Sequence, residues 1–176
     1  MNRNLIIILG QHRLIRGMLE VLAKDNNALF LTCLEEKQKA ESRGNEGAEF
    51  WAKVINKEVE RDKLFLEELN TGKNIFVEQW HIGNWSRAQS LGIDLPQEIQ
   101  NKLNQQIGSL TTRIRAFYVS TDLEKYYFDS ELEAKRRELN ELPKILRNIG
   151  ITTENLNGDA GQDNLKKRLH YLLEQA

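Results

Sequence analysis

Three stretches of the chain hold residues suited to phosphate chemistry. The first is Gly10-Gln11-His12-Arg13-Leu14-Ile15-Arg16-Gly17, in which a glycine follows an apolar run and precedes His12, Arg13 and Arg16. Free backbone N–H groups at a helix N-terminus attract anions, and the planar guanidinium of arginine meets phosphate through a fork of donors. The second stretch is Glu78-Gln79-Trp80-His81, where a carboxylate closes another apolar run. A carboxylate at the end of a buried strand needs a partner to offset its desolvation, which makes Glu78 the best single candidate for a working group. The third is Lys135-Arg136-Arg137, cationic residues on a charged helical segment.

A phosphate-binding loop built as Gly, four residues, Gly, Lys and then Ser or Thr forms a nest of backbone N–H groups. Its lysine neutralises phosphate and its hydroxyl binds Mg²⁺. Against that pattern only Gly10 is in place: Ile15 stands at the second glycine, Arg16 at the lysine and Gly17 at the hydroxyl residue. A β-branched Ile15 disfavours positive φ and fills room the phosphates need, while Gly17 offers Mg²⁺ no oxygen. No Ser or Thr occurs between Gly10 and Asn27, so a shift of register does not restore the hydroxyl. The arginines keep anion binding open, with Gly10, His12, Arg13, Arg16 and Gly17 as its residues. Taken alone, a buried strand, a glycine and an amphipathic helix are common in α/β proteins.

The segment Thr71-Gly72-Lys73-Asn74-Ile75-Phe76-Val77-Glu78-Gln79-Trp80-His81, followed by Asn84, Arg87, Ala88 and Gln89, resembles thymidylate kinase-like members of the P-loop nucleotide kinase superfamily. In that family a long helix ends in Gly-Lys, a strand follows, and an Asp-Arg-aromatic motif leads to a Ser and an Ala-Tyr-Gln stretch. The resemblance implies that Glu78 organises Mg²⁺ and the acceptor, that Gln79 replaces the arginine and that Trp80 replaces the aromatic residue. It also implies that Gln79, Trp80, Asn84, Arg87 and Gln89 lie on the substrate side. Arg115-Ala116-Phe117-Tyr118-Val119 with Asp122 resembles the family's fourth strand, and Asn157-Gly158-Asp159-Ala160 its adenine-side loop. Arg136 and Arg137 fall at the arginine-bearing lid helix, where they would stabilise transferred charge. The second strand departs from the pattern, with Thr32-Cys33-Leu34 in place of Arg-Glu-Pro. In architecture the resemblance spans nearly the whole chain, and it implies ATP and Mg²⁺ as cofactors.

Other readings stand beside these. Arg136 and Arg137 sit among Glu131, Glu133, Glu138 and Glu141, a mixture that usually marks a solvated face with weak ion pairs. Trp51, Trp80 and Trp85 suit packing better than base stacking, and a histidine such as His12 or His81 is more often a hydrogen-bonded structural group.

Bulk composition narrows the field. At 176 residues the chain closes one core and is short for two, so a single domain over 1–176 is expected, with a lid-like helical segment at about 122–148. Lys plus Arg number 25 against 26 Asp plus Glu, which leaves no global field for nucleic acid or anionic lipid. Cys33 has no cysteine to pair with, and His12, His81 and His170 lack zinc-ligand spacing. A cytoplasmic setting without membrane insertion is expected, since Leu5–Leu9 is far too short to span a bilayer.

The elements that must position these residues follow from periodicity. Leu5–Leu9 reads as a strand buried on both faces, Leu14–Lys24 as a helix and Ala28–Leu31 as a second strand. A charged loop is expected over Glu35–Gly47, then a long helix carrying Phe50, Trp51, Val54, Ile55, Phe65, Leu66 and Leu69, ended by Gly72. Ile75–Val77 is a third strand. Trp80–Leu91 begins as a loop leading into a helix, and Pro96 opens another helix that runs through Leu110. Ala116–Val119 is the fourth strand, and Asp122 caps a helix to about Asn148 with a break before Pro143. Ile151–Leu156 is a weak fifth edge strand, and a final helix carries Leu165, Leu169, Leu172 and Leu173.

Strands alternating with helices imply an α/β fold: three-layer α/β/α with a mostly parallel five-stranded sheet, of the P-loop NTPase (nucleotide kinase) kind, with ligands at the carboxyl ends of the strands. The expected function is a nucleotide- or anion-binding protein of that kind with lost or altered catalysis. An active ATP-dependent nucleotide or nucleoside-phosphate kinase is one alternative, and a non-catalytic partner-binding or oligomeric module is another. The long helix with Phe50 and Trp51 can pack on the sheet or pair subunits, which puts a homodimer among the expected assemblies.

Overall fold

Leu5–Gly10 (β1) is buried along its whole length, because it is the middle strand of the sheet and both its faces are covered. The computed structural model describes residues 4–10, 12–31, 47–125 and 127–174. In chain order, β1 is followed by His12–Asp25 (α1), Leu29–Leu31 (β2), Ala48–Asn70 (α2), Ile75–Glu78 (β3), Trp80–Ser90 (α3) and Gln97–Leu110 (α4). Ile114–Ser120 (β4), Asp129–Asn148 (α5), Thr153–Asn157 (β5) and Gln162–Glu174 (α6) complete it. The five strands lie in the order β2-β3-β1-β4-β5, and every pairing is parallel.

Side chains on a strand alternate between faces, and β1 divides its apolar residues accordingly. Leu5, Ile7 and Leu9 join one core with Trp51, Ile55, Leu103 and Leu142 from α2, α4 and α5. Ile6 and Ile8 join the other with Ile15, Leu19 and Leu22 of α1 and Leu165 and Leu169 of α6. The result is the expected three-layer α/β/α arrangement, with α1 and α6 on one face and α2 to α5 on the other. Asn4, almost wholly buried just before β1, donates from Nδ2 to the carbonyls of Leu69 (3.0 Å) and Lys73 (2.9 Å), tying the end of α2 to the foot of the sheet.

Three local expectations are corrected. Residues 80–90 form a helix from their first residue, with no leading loop. Eight of those residues are buried (Trp80, His81, Ile82, Gly83, Asn84, Trp85, Ser86 and Ala88), so α3 lacks the polar face that would have made its period visible. Asp122 does not cap α5, which begins at Asp129 after Phe128. Its Oδ1 accepts from the backbone N–H of Glu124 at 3.2 Å, within a short 3₁₀ turn at Leu123–Lys125. Pro143 lies inside α5, which runs unbroken past it to Asn148 because Leu139, Leu142, Ile145 and Leu146 anchor that half in the core. Pro96 immediately precedes α4, and β5 forms as an edge strand, as expected. The segment Thr32–Leu34 and nearly all of the loop expected at Glu35–Gly47 lie outside the described residues.

Candidate functional site at the carboxyl edge of the sheet

The carboxyl ends of β1, β3 and β4 converge, and the register places Ile8 beside both Glu78 and Phe117 and Gly10 beside Val119. Glu78 is fully buried. Val77 belongs to the core under α2 to α5 and Phe76 to the core under α1, so alternation puts the Glu78 side chain on the α1 side. Gly10 has φ 140°, and a Cβ there would stand 2.6 Å from the Val119 carbonyl oxygen, so only glycine allows β1 and β4 to approach this closely.

At the next step of the chain, Gln79 and Trp80 both have positive φ, 52° and 49°. Consecutive left-handed residues that are not glycine are costly and persist only where their surroundings hold them. Here the holding contacts are visible. The Gln79 backbone N–H donates to the Ile8 carbonyl at 2.9 Å, its side-chain amide donates to the Gly10 carbonyl, and its own carbonyl accepts from Gly83 N–H at 3.0 Å. A Cβ on Gly83 would lie 2.7 Å from the Gln79 side chain, so this glycine makes room for the turn.

Behind the turn lies a buried ionic cluster between α2 and α3. His81 is fully enclosed, with Nε2 3.1 Å from Asp62 Oδ2 and Nδ1 3.4 Å from Glu58 Oε2. Asn84 Nδ2 donates to Glu58 Oε2 at 2.7 Å, Arg61 Nε donates to Asp62 Oδ1 at 2.8 Å, and the Trp80 indole N–H donates to Asp62 Oδ2. Burial alone would lower the His81 pKa, but the hydrogen bonds and charges of Asp62 and Glu58 outweigh it and hold the ring above the ordinary histidine value. Burial would likewise raise the Asp62 carboxyl, yet His81, Arg61 and Trp80 keep it below its ordinary value. Sequence reading missed Glu58 and Asp62. Their signal was two carboxylates, one helical turn apart, on the stripe of Val54, Ile55 and Val59.

Of the residues singled out by sequence, Gly10, Glu78 and Gln79 meet at this edge. Arg136 lies nearby, lining a groove of about 320 Å³ with Tyr118, Ser120, Thr121, Asp122 and Asn140, and it also pairs with Glu124 at 3.0 Å. Trp80 and Asn84 are taken up by the buried cluster. Arg87 pairs with Glu138 Oε2 at 3.0 Å and the Ser86 hydroxyl donates to the Glu138 carbonyl, fastening α3 to α5, while Lys135 pairs with Glu138 within α5. Gln89 lies elsewhere, in a cavity of about 520 Å³ with Trp85, Gln100, Asn104 and Lys144. Arg137 projects into solvent and pairs with Glu133 at 3.3 Å.

The expected phosphate loop differs most. α1 starts at His12, so positions 12 to 17 are helical, Ile15 is buried in the core, and Gly17 is an exposed helical residue with open space around it. Arg16 is partly exposed and lies 3.8 Å from Glu20. The side chains of His12 and Arg13 lie outside the described residues.

Among the described residues no group of three or more His, Cys, Asp or Glu side chains is placed to hold a metal. Mg²⁺ bound with a nucleotide asks less, since one or two carboxylates suffice when phosphates supply the other oxygens. No helix among the described residues is long and apolar enough to cross a membrane.

No protein-family model and no curated protein sequence matches the chain. Solved structures do. The YorR protein of Bacillus subtilis, determined in complex with phosphorylated GDP, has a TM-score of 0.60 at 13% identity, over 97% of this chain and 95% of that one. Deoxyadenosine kinase from M. mycoides, with products dCMP and a flexible dCDP bound, has a TM-score of 0.63 at 8% identity, over 98% and 100%. Shikimate kinase from Aquifex aeolicus has a TM-score of 0.52 at 14% identity, over 97% and 96%. With the five-stranded parallel sheet, these likenesses establish a P-loop nucleotide kinase-like fold.

Proposed function

We propose that the chain is a thymidylate kinase-like P-loop protein with a degenerate phosphate-binding loop. It binds a nucleotide or other phosphate-bearing small molecule at the carboxyl edge of the sheet, with phosphoryl transfer lost or altered. The observation that carries this reading is the start of α1: the residues that would wrap phosphate are already helical from His12, and Ile15 is committed to the core. A helix N-terminus still attracts anions, but it is a smaller cradle than a nest with its lysine and hydroxyl. Removing one preorganised donor typically costs about 10²- to 10³-fold in rate, and here several are missing together.

The reading gives the remaining residues definite tasks. Mg²⁺, when bound, would neutralise phosphate charge, and Glu78 would hold it beside the phosphates. Gly10 keeps the floor of the site low, Gln79 locks β3 to β1, and Arg136 supplies positive charge from the groove at the end of β4. One observation favours an active kinase instead: the strained Gln79-Trp80 turn beside a buried carboxylate is the sort of feature that is kept at working sites.

Calorimetric titration of the purified chain with ATP and with dTMP, each with and without Mg²⁺, separates these readings, with Arg16→Ala and Glu78→Gln as controls. The expected outcome is nucleotide binding whose Mg²⁺ dependence disappears in Glu78→Gln, with turnover at background. Mg²⁺-dependent phosphoryl transfer abolished by Glu78→Gln would establish the active kinase. No binding of either ligand would leave a partner-binding module, for which light scattering at several concentrations tests the homodimer.

A further inference from the structure

We propose that His81 is a buried imidazolium, the positive centre of the Glu58, Arg61, Asp62 and Asn84 cluster, and that its charge positions the Gln79-Trp80 turn at the edge of the candidate site. Geometry carries the first half. Both ring nitrogens face carboxylate oxygens, at 3.1 Å and 3.4 Å, and the ring has no exposure to water. A neutral imidazole has one N–H, so one carboxylate would face a lone pair, whereas an imidazolium presents a proton to both, with Nε2 at ion-pair distance from Asp62 though not aligned for a hydrogen bond. Charge balance points the same way. Among the described contacts, Glu58 and Asp62 bring two negative charges from α2 against the one positive charge of Arg61, so the surroundings favour a proton on His81. On α5, Glu138 is buried but already paired with Arg87 and Lys135. From α3 itself the cluster receives the uncharged Asn84 and Trp80.

The second half follows from what the charge holds. Trp80 and His81 both reach Asp62, and their rings lie 4.6 Å apart. These contacts pull the first turn of α3 onto α2 directly after Gln79, where the backbone is strained and the side chain is bonded to Gly10. His81 is thus a positioning residue: it touches no ligand, and it acts by setting where β3 ends. Only this second half rests on the carboxyl edge being the binding site.

The test is ¹⁵N ring NMR of the full chain, with His81 assigned by its loss in His81→Gln. Over about pH 5 to 8, where ordinary histidines titrate, His81 is expected to keep both ring nitrogens protonated. A neutral His81 ring anywhere in that window overturns the proposal. In Glu58→Gln, which preserves shape if His81→Gln fails to fold, His81 is expected to titrate inside the window. The Gln79 and Gly83 amide signals should then move with the same midpoint, and amide signals that stay still overturn the positioning role. Nucleotide affinity in the same variant should fall several-fold on the alkaline side of that midpoint. If the wild-type chain binds no nucleotide, the site reading fails, while the ring and amide signals still decide the role of His81.

Discussion

At Gly10 a single methyl group is enough to push neighbouring strands apart. Gly10→Ala would press a Cβ to within 2.6 Å of the Val119 carbonyl and impose a side chain at φ 140°. The expected loss of stability is about 1–3 kcal/mol, read as a lower urea midpoint. His81 shows the same economy in charge. Its folded pKa lies above the ordinary 6.5, so its contribution to stability is complete below that value and is lost as pH rises through the higher folded one. The thermal midpoint of the wild-type chain should therefore fall as pH rises above 6.5, and His81→Gln should flatten that fall while lowering the midpoint overall. Asp62 has the opposite sign: its pKa is lowered below 3.8, and its contribution is lost as pH falls through the folded value.

Among the elements, α3 and α5 show how packing overrides pattern. α3 is surrounded by α2, α5 and the sheet, so its polar residues Asn84 and Ser86 point inward to Glu58 and the Glu138 carbonyl, a direction no periodicity reveals. α5 carries Pro143 in its interior, where the missing N–H and the ring cost a helix dearly, yet four core residues around it keep the helix whole. Pro143→Ala is expected to stabilise the chain by about 1–3 kcal/mol, visible as a higher urea midpoint. No gain would mean that the proline's fixed φ offsets its lost hydrogen bond. The expected break before Pro143 and the expected cap at Asp122 both came from reading the segment as if it stood alone.

For the molecule as a whole, ligand binding and stability are one equilibrium. A nucleotide that binds only the folded chain should stabilise it by about 2.7 kcal/mol at 100 times its Kd, and Glu78→Gln should remove the share that depends on Mg²⁺. Scanning calorimetry with ATP, with and without Mg²⁺, checks this. The sequence by itself determined the alternation of strands and helices, the central place of Leu5–Leu9 and the carboxylate of Glu78 closing the third strand. Those follow from local periodicity and from the cost of burying a charge, which each segment carries within itself. Only the tertiary structure decided that α1 begins at His12 with Ile15 in the core, and that Trp80, Asn84 and Arg87 hold helices together. It also decided that Glu58 and Asp62 enclose His81, because a buried charge finds its partner across elements: His81 lies 23 residues from Glu58 in the chain and 3.4 Å from it in space.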